Sequence, residues 1–172
     1  MIGYNHHTAP TAMVYGLREA LRAISEEGLD ARFARHRLHG DALRAGIASL
    51  GLRLFGAEPA ERRLAMITPV LVPDGIDELR VRHELIQDFG IEIGAAFGPL
   101  EGRIWRIGTM GYAAQRRNVL LCLAALEQVL RRQGWRADAG ADAAVAHYAA
   151  AGSAPAAVDV IDNLGAPGMG RY

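Results

Sequence analysis

The chain has 172 residues, a one-domain length that can close a single sizeable core, and 51% of them are hydrophobic, which argues against a disordered chain. All 19 basic residues are arginine and 19 residues are acidic, so the formal net charge is zero and nothing electrostatic points to nucleic acid or an anionic membrane. One cysteine, Cys122, excludes an internal disulfide framework and a cysteine metal cluster.

Pro10 can occupy the first turn of a helix running to about Glu27, with Gly28 as its stop. Met13, Leu17, Leu21 and Ile24 form one apolar stripe along it. A second helix is expected from about Leu29 to Leu50, carrying Phe33, Leu43 and Ile47. The two would form a helical pair joined by a tight corner.

Leu52 to Phe55 is a short strand candidate. Leu64 to Val72 is a longer one, in which Pro69 points to an edge or a bulge. Pro73-Asp-Gly75 reads as a turn. Asp77 can cap a helix to about Phe89, with Leu79, Leu85 and Ile86 inward and Gly90 as the stop. Ile91 to Ile93 and Arg103 to Ile107 read as two further strands. An amphipathic helix follows from about Ala113 to Arg132, with Val119, Leu123, Leu126 and Leu130 on one face. Within it, Cys122 reads as a small buried apolar residue.

From about Ala137 the composition shifts to Ala, Gly and Asp. A short helix over 141–150 is conceivable there, but the segment is expected to be mostly an unstructured tail. Strands interleaved with helices imply a two-layer α+β domain, a sheet covered by helices on one side. The expected division is a helical connector over 1–50, an α+β domain over 51–135 and a flexible Ala/Gly-rich tail over 136–172. The first residues lack a basic stretch followed by an apolar run, and no segment reaches about 18 uninterrupted apolar residues, so neither a signal peptide nor a membrane span is expected. A cytoplasmic setting fits.

Two places could carry chemistry. In Arg103 to Ile107, strand alternation puts Arg106 with Ile104 and Gly108 on one face and Trp105 with Ile107 on the other. An arginine inside an apolar strand needs an anion partner. Its planar fork suits a carboxylate ligand, with Gly108 leaving room, and a salt bridge to Glu92 or Glu101 satisfies it equally. At Tyr4-Asn-His-His-Thr-Ala-Pro10, the histidines and Thr8 before a helix start could meet a phosphate. Thr8 could instead be an ordinary N-cap. A metal site is not expected, because no acidic or thiol ligand has matching spacing.

The order of several blocks carries a resemblance. Asn5-His-His-Thr-Ala-Pro10, Tyr15-Gly-Leu-Arg-Glu-Ala-Leu21 and Glu26-Glu-Gly28 resemble the segment joining the two domains in class V aminotransferases of the alanine/serine–glyoxylate group. Gly90-Ile-Glu-Ile-Gly94, Phe97-Gly-Pro-Leu100 and Trp105-Arg-Ile-Gly-Thr-Met-Gly111 resemble the last strands of their small domain. Asn118 to Leu130 is similar to their closing helix, so the likeness covers roughly residues 4 to 135.

The resemblance implies a fold-type I pyridoxal-phosphate (PLP) enzyme, homodimeric, acting on small amino and keto acids. It implies that Arg106 binds the substrate carboxylate and that Thr8 reaches the PLP phosphate of the neighbouring subunit. Asn5 stands where the alanine–glyoxylate enzymes usually carry tyrosine. Asparagine there resembles the branch that takes the amino group from ureidoglycine, whose ureido group a carboxamide can match. Alanine and serine are the other donors the group implies. The family holds PLP on a lysine amine, and this chain has no lysine. No catalytic residue is therefore expected in the chain, which reads as the C-terminal portion of such an enzyme, inactive alone. The competing reading is a stand-alone, non-catalytic carboxylate-binding or dimerisation module. The apolar Met13, Val14, Tyr15 and Leu17 are too many for a freely solvated helix, which favours the fragment reading, or else a dimer that buries the same surface.

Overall fold

The computed structural model describes residues 9–56, 59, 62–136 and 138–152. Two helices open the chain, α1 (Thr11–Glu27) and α2 (Leu29–Ser49), separated by Gly28 at φ 79°. Then come β1 (Ile67–Leu71), α3 (Glu78–Phe89), β2 (Gly94–Ala95), β3 (Ile104–Gly108), α4 (Arg116–Arg132) and α5 (Gly140–Ala151). The strands form an antiparallel sheet of order β1-β3-β2, which with its helices makes the α+β domain that the alternation of elements implies.

Local chemistry fixes the boundaries. The Asp77 carboxylate accepts the Arg80 N–H at 3.0 Å at the start of α3. Gly90, at φ 64° and ψ 25°, ends that helix by donating its N–H to Ile86 and Leu85. Pro69 lies in the edge strand β1, where no ladder N–H is demanded of it; its carbonyl accepts the Phe55 N–H at 3.0 Å.

Side-chain alternation divides the sheet. Val70, Trp105 and Ile107 face a core shared with Leu43 and Ile47 of α2, Leu85 of α3, and Leu123, Leu126 and Leu130 of α4. Cys122 is buried in the same core, which pushes its thiol up to about 12. It is a packing residue, as the sequence indicates.

Several expected details move. The strand expected over 91–93 starts at Gly94 instead, because the Ile91 N–H is taken by Leu85 O in the final turn of α3. Residues 52–55 make one isolated bridge, Leu54 to Val70, rather than a strand. Val81 and Leu85 are the inward residues of α3; Leu79 and Ile86 are exposed. Phe33 is exposed too, while Arg35, His36 and His39 take the buried face of α2. A turn of 3₁₀ helix at Gly111–Ala113 precedes α4, which starts three residues later than expected.

The larger correction concerns the segment expected to be a flexible tail. Residues 140–151 of it form α5, which packs on α2 and α4 and buries Gly140, Ala144 and Tyr148. Small residues here mean close packing rather than a lack of it. A Cβ on Gly46 would stand 2.3 Å from Leu123 Cδ1 and 2.8 Å from Gly140 O, so both glycines are required for the helices to approach. The His39 Nδ1 and Tyr148 hydroxyl share a 2.7 Å hydrogen bond across the α2–α5 contact, and burial pushes the Tyr148 hydroxyl well above its ordinary pKa. The remainder of the expected tail, 153–172, lies outside the described residues. The helical connector is likewise not separate from the domain: α2 supplies part of its core.

Candidate functional site

Arg106 sits in the central strand, opposite Pro69 of β1 and Gly94 of β2. Because Trp105 and Ile107 take the core face, Arg106 emerges on the other face, beside Gly108, and is exposed. The expectation of an arginine enclosed by apolar neighbours is thus corrected: no burial cost forces a counter-ion on it. Among the described residues no carboxylate pairs with it, neither Glu92 nor Glu101.

What holds Arg106 is a neutral cradle. Its Nε donates to the Ala95 carbonyl at 2.8 Å, and its guanidinium carbon lies 4.8 Å from the centre of the Phe97 ring. Phe97 itself is 78% exposed, so the stacking surface stands at the molecular boundary. One edge of the guanidinium is thereby fixed while the two terminal nitrogens have no acceptor among the described residues. Two parallel N–H donors on a held plane match a carboxylate. Gly94 lies alongside, where a Cβ would only touch the Arg106 side chain at 3.5 Å.

The backbone just beyond this strand is pinned by residues that periodicity alone does not single out. The Arg35 guanidinium is buried and meets Glu27 of α1, with Nε to Oε1 at 2.5 Å and Nη2 to Oε2 at 3.0 Å. Its Nη1 donates to the carbonyls of Gly111 and Ala114 at 2.9 and 3.0 Å. The Gly111 N–H donates to His36 Nε2 at 3.0 Å, which leaves His36 Nδ1 to donate to the Arg32 carbonyl at 2.7 Å. Arg35, and more weakly Arg32, hold the Glu27 carboxyl below the ordinary value of 4.5. One ion-pair network thus ties α1, α2 and the turn that follows Arg106. The signal in the sequence was the pair of polar residues, Arg35 and His36, on the face that α2 must bury.

Asn5 and Thr8 lie outside the described residues, as do His6 and His7. His36 and His39 are engaged in structural hydrogen bonds. Among the described residues no group of three or more His, Cys, Asp or Glu is placed to hold a metal ion, and no helix is long and apolar enough to cross a membrane.

No family model matches the chain. Individual relatives do. The (S)-ureidoglycine–glyoxylate transaminase of Bacillus subtilis strain 168 is 50% identical over 161 residues, covering 94% of this chain and 36% of the relative. The alanine–glyoxylate aminotransferase of Callithrix jacchus is 44% identical over 126 residues, covering 73% of this chain and 30% of the relative. The crystal structure of the B. subtilis ureidoglycine–glyoxylate aminotransferase superposes with a TM-score of 0.77 at 51% identity, over 84% of this chain and 38% of that one. The chain therefore spans about a third of the length of the curated relatives it matches. With relatives that also include a serine–glyoxylate aminotransferase, the chain belongs to the class V aminotransferases of the alanine/serine–glyoxylate group and corresponds to their C-terminal portion.

Proposed function

We propose that this chain supplies the carboxylate-binding small domain of a PLP-dependent aminotransferase that moves an amino group to glyoxylate. The observation that carries this reading is Arg106: anchored through Nε and a ring face, it leaves its terminal nitrogens without an acceptor among the described residues. Glyoxylate and an amino-acid donor each carry one carboxylate, so one arginine serves both half-reactions. Holding each substrate in turn lowers the entropic cost of reaching the reactive geometry. The Glu27–Arg35–Gly111 network keeps the turn after Arg106 in place, a positioning role.

PLP supplies the electron sink for amino transfer. The described residues do not form a site for it. No lysine occurs in the chain, and the carboxylate fork of Arg106 belongs to the substrate end. The lysine must come from a larger domain, in the same polypeptide or another, and the chain by itself is inactive. In the assembled enzyme, a homodimer, Thr8 reaches the cofactor phosphate of the neighbouring subunit and Asn5 faces the amino donor. Ureidoglycine is the donor we favour. The 50% identity to the B. subtilis ureidoglycine enzyme and the carboxamide at position 5 both support it.

The donor assignment is tested by Asn5→Tyr in the assembled enzyme. Turnover should shift from ureidoglycine toward alanine; unchanged donor preference would remove Asn5 from the site. A stand-alone binding module is the second reading, and the exposure of Met13, Val14, Tyr15 and Leu17 along α1 requires it to bury that face in a dimer. That face must be covered in either case, and a lysine-bearing domain covers it with fewer assumptions.

A further inference from the structure

A second site lies on the flank formed by α2 and the segment leading into β1. A cleft of about 690 Å³ opens there, lined by Arg32, Arg37, Arg44 and Arg63 and by one carboxylate, Asp41. Four guanidinium groups line it, of which that of Arg32 is paired with Glu27 at 2.9 Å. Arg44 is paired with Asp41 at 2.7 Å, and Arg37 has no hydrogen-bond or ion-pair partner among the described residues. Leu64, Met66 and Met110 line the same cleft and stay 65%, 41% and 49% exposed. Large apolar side chains gathered beside Arg37 mark a surface that is covered in use.

The cleft has an annexe. A cavity of about 220 Å³ shares Arg44, Arg63 and Leu64 with it and is otherwise walled mainly by Leu54, Phe55, Ile67 and Pro69. Thr68 also lines this cavity, and its hydroxyl is buried without a hydrogen-bond partner, a state that costs free energy unless a ligand or water completes it. The wall between helix and strand is built rather than incidental. A Cβ on Gly40 would stand 2.2 Å from the Ala65 carbonyl oxygen, so α2 and the 62–66 segment meet backbone to backbone.

We propose that these joined cavities bind a carboxylic acid with an apolar arm, distinct from the substrate held by Arg106. The carboxylate lies against Arg37 and Arg44, as a charge-assisted contact favours. The arm enters the smaller cavity past Leu64, and the Thr68 hydroxyl meets a polar atom at its end. Arg37, Arg44 and Thr68 are no part of the Arg106 cradle, so the site does not depend on that reading, although Arg32, His36 and Gly111 line the cleft and also belong to the network behind that strand.

The test uses the full 172-residue chain and octanoate as the probe, with inorganic phosphate and octanol as controls. The methyl resonances of Met66 and Met110 report the cleft, and that of Met13 on α1 reports non-specific effects. Octanoate should shift the first two saturably and leave Met13 unmoved, binding at least about tenfold tighter than octanol or phosphate. Arg37→Met with Arg44→Met should weaken octanoate by at least about tenfold. Should the double variant lose its fold, judged by the Trp105 indole signal, Arg37→Met alone carries the comparison because that side chain is on the surface. No saturable response overturns the proposal. Equal binding of octanol removes the arginines from the site, equal binding of phosphate removes the apolar arm, and either result also overturns it. So does unchanged octanoate affinity in the arginine variants.

Discussion

At the scale of single residues, two arginines do opposite work. Arg106 is exposed and keeps its terminal donors open, whereas Arg35 is buried and spends its donors on Glu27 and two carbonyls. Removing one partner of the buried pair leaves the other charge unsatisfied, so Glu27→Gln should cost about 3–5 kcal/mol in equilibrium unfolding. The pH dependence follows from the direction of the shift. Glu27 is held below its ordinary 4.5 in the folded state, so its contribution is complete above that value and is lost as pH falls through the lower folded one. Melting curves of the native chain and Glu27→Gln should therefore differ by a constant amount at neutral pH and converge in acid. A gap that persists undiminished in acid would show that the carboxylate's ionisation is not what stabilises this contact. The sequence singles out Arg106 as a candidate carboxylate ligand, but not its environment. Alternation gives the face an arginine occupies, and says nothing of whether helices cover that face.

At the scale of elements, α3 shows what local chemistry fixes well. Asp77 and Gly90 mark both ends because capping depends on a few neighbouring atoms. Which side chains turn inward depends on partners distant in sequence, and there Leu79 and Ile86 gave way to Val81. In α2 the buried stripe was disguised by Arg35, His36 and His39, polar residues whose hydrogen bonds are made across the fold. A short helix over 141–150 was conceivable from the sequence, but its packing against the domain was hidden for another reason. Its Ala and Gly content resembles a linker, yet those small residues let it lie against Gly46 of α2. Gly46→Ala should force Leu123 or the α5 backbone aside and cost about 1–3 kcal/mol. Ending the chain at Trp135 should lower stability by about 2–4 kcal/mol, through exposure of the apolar surface beneath Ala144 and Tyr148. Unchanged melting of the shortened chain would return 140–151 to the role of a tail.

At the scale of the whole molecule, the chain is a sound small domain with an unfinished face. Its core joins α2, α3, α4 and the sheet, while α1 leaves Met13, Tyr15, Leu17 and Leu21 exposed. The absence of lysine and the open terminal nitrogens of Arg106 support the proposal that the chain is one part of an aminotransferase. Incubated with PLP and then borohydride, the isolated chain should gain no covalent mass at a lysine, and it should show no transamination.

The most direct test of the central claim replaces the matching third of the B. subtilis ureidoglycine enzyme with this chain, keeping that enzyme's remaining sequence. At 50% identity the exchange should fold and transaminate to glyoxylate. Arg106→Ala in that hybrid should then lower kcat/KM by about 10–100-fold for the amino donor and for glyoxylate alike, as loss of a charge-assisted carboxylate contact requires. An active hybrid whose kinetics ignore Arg106→Ala would contradict the account.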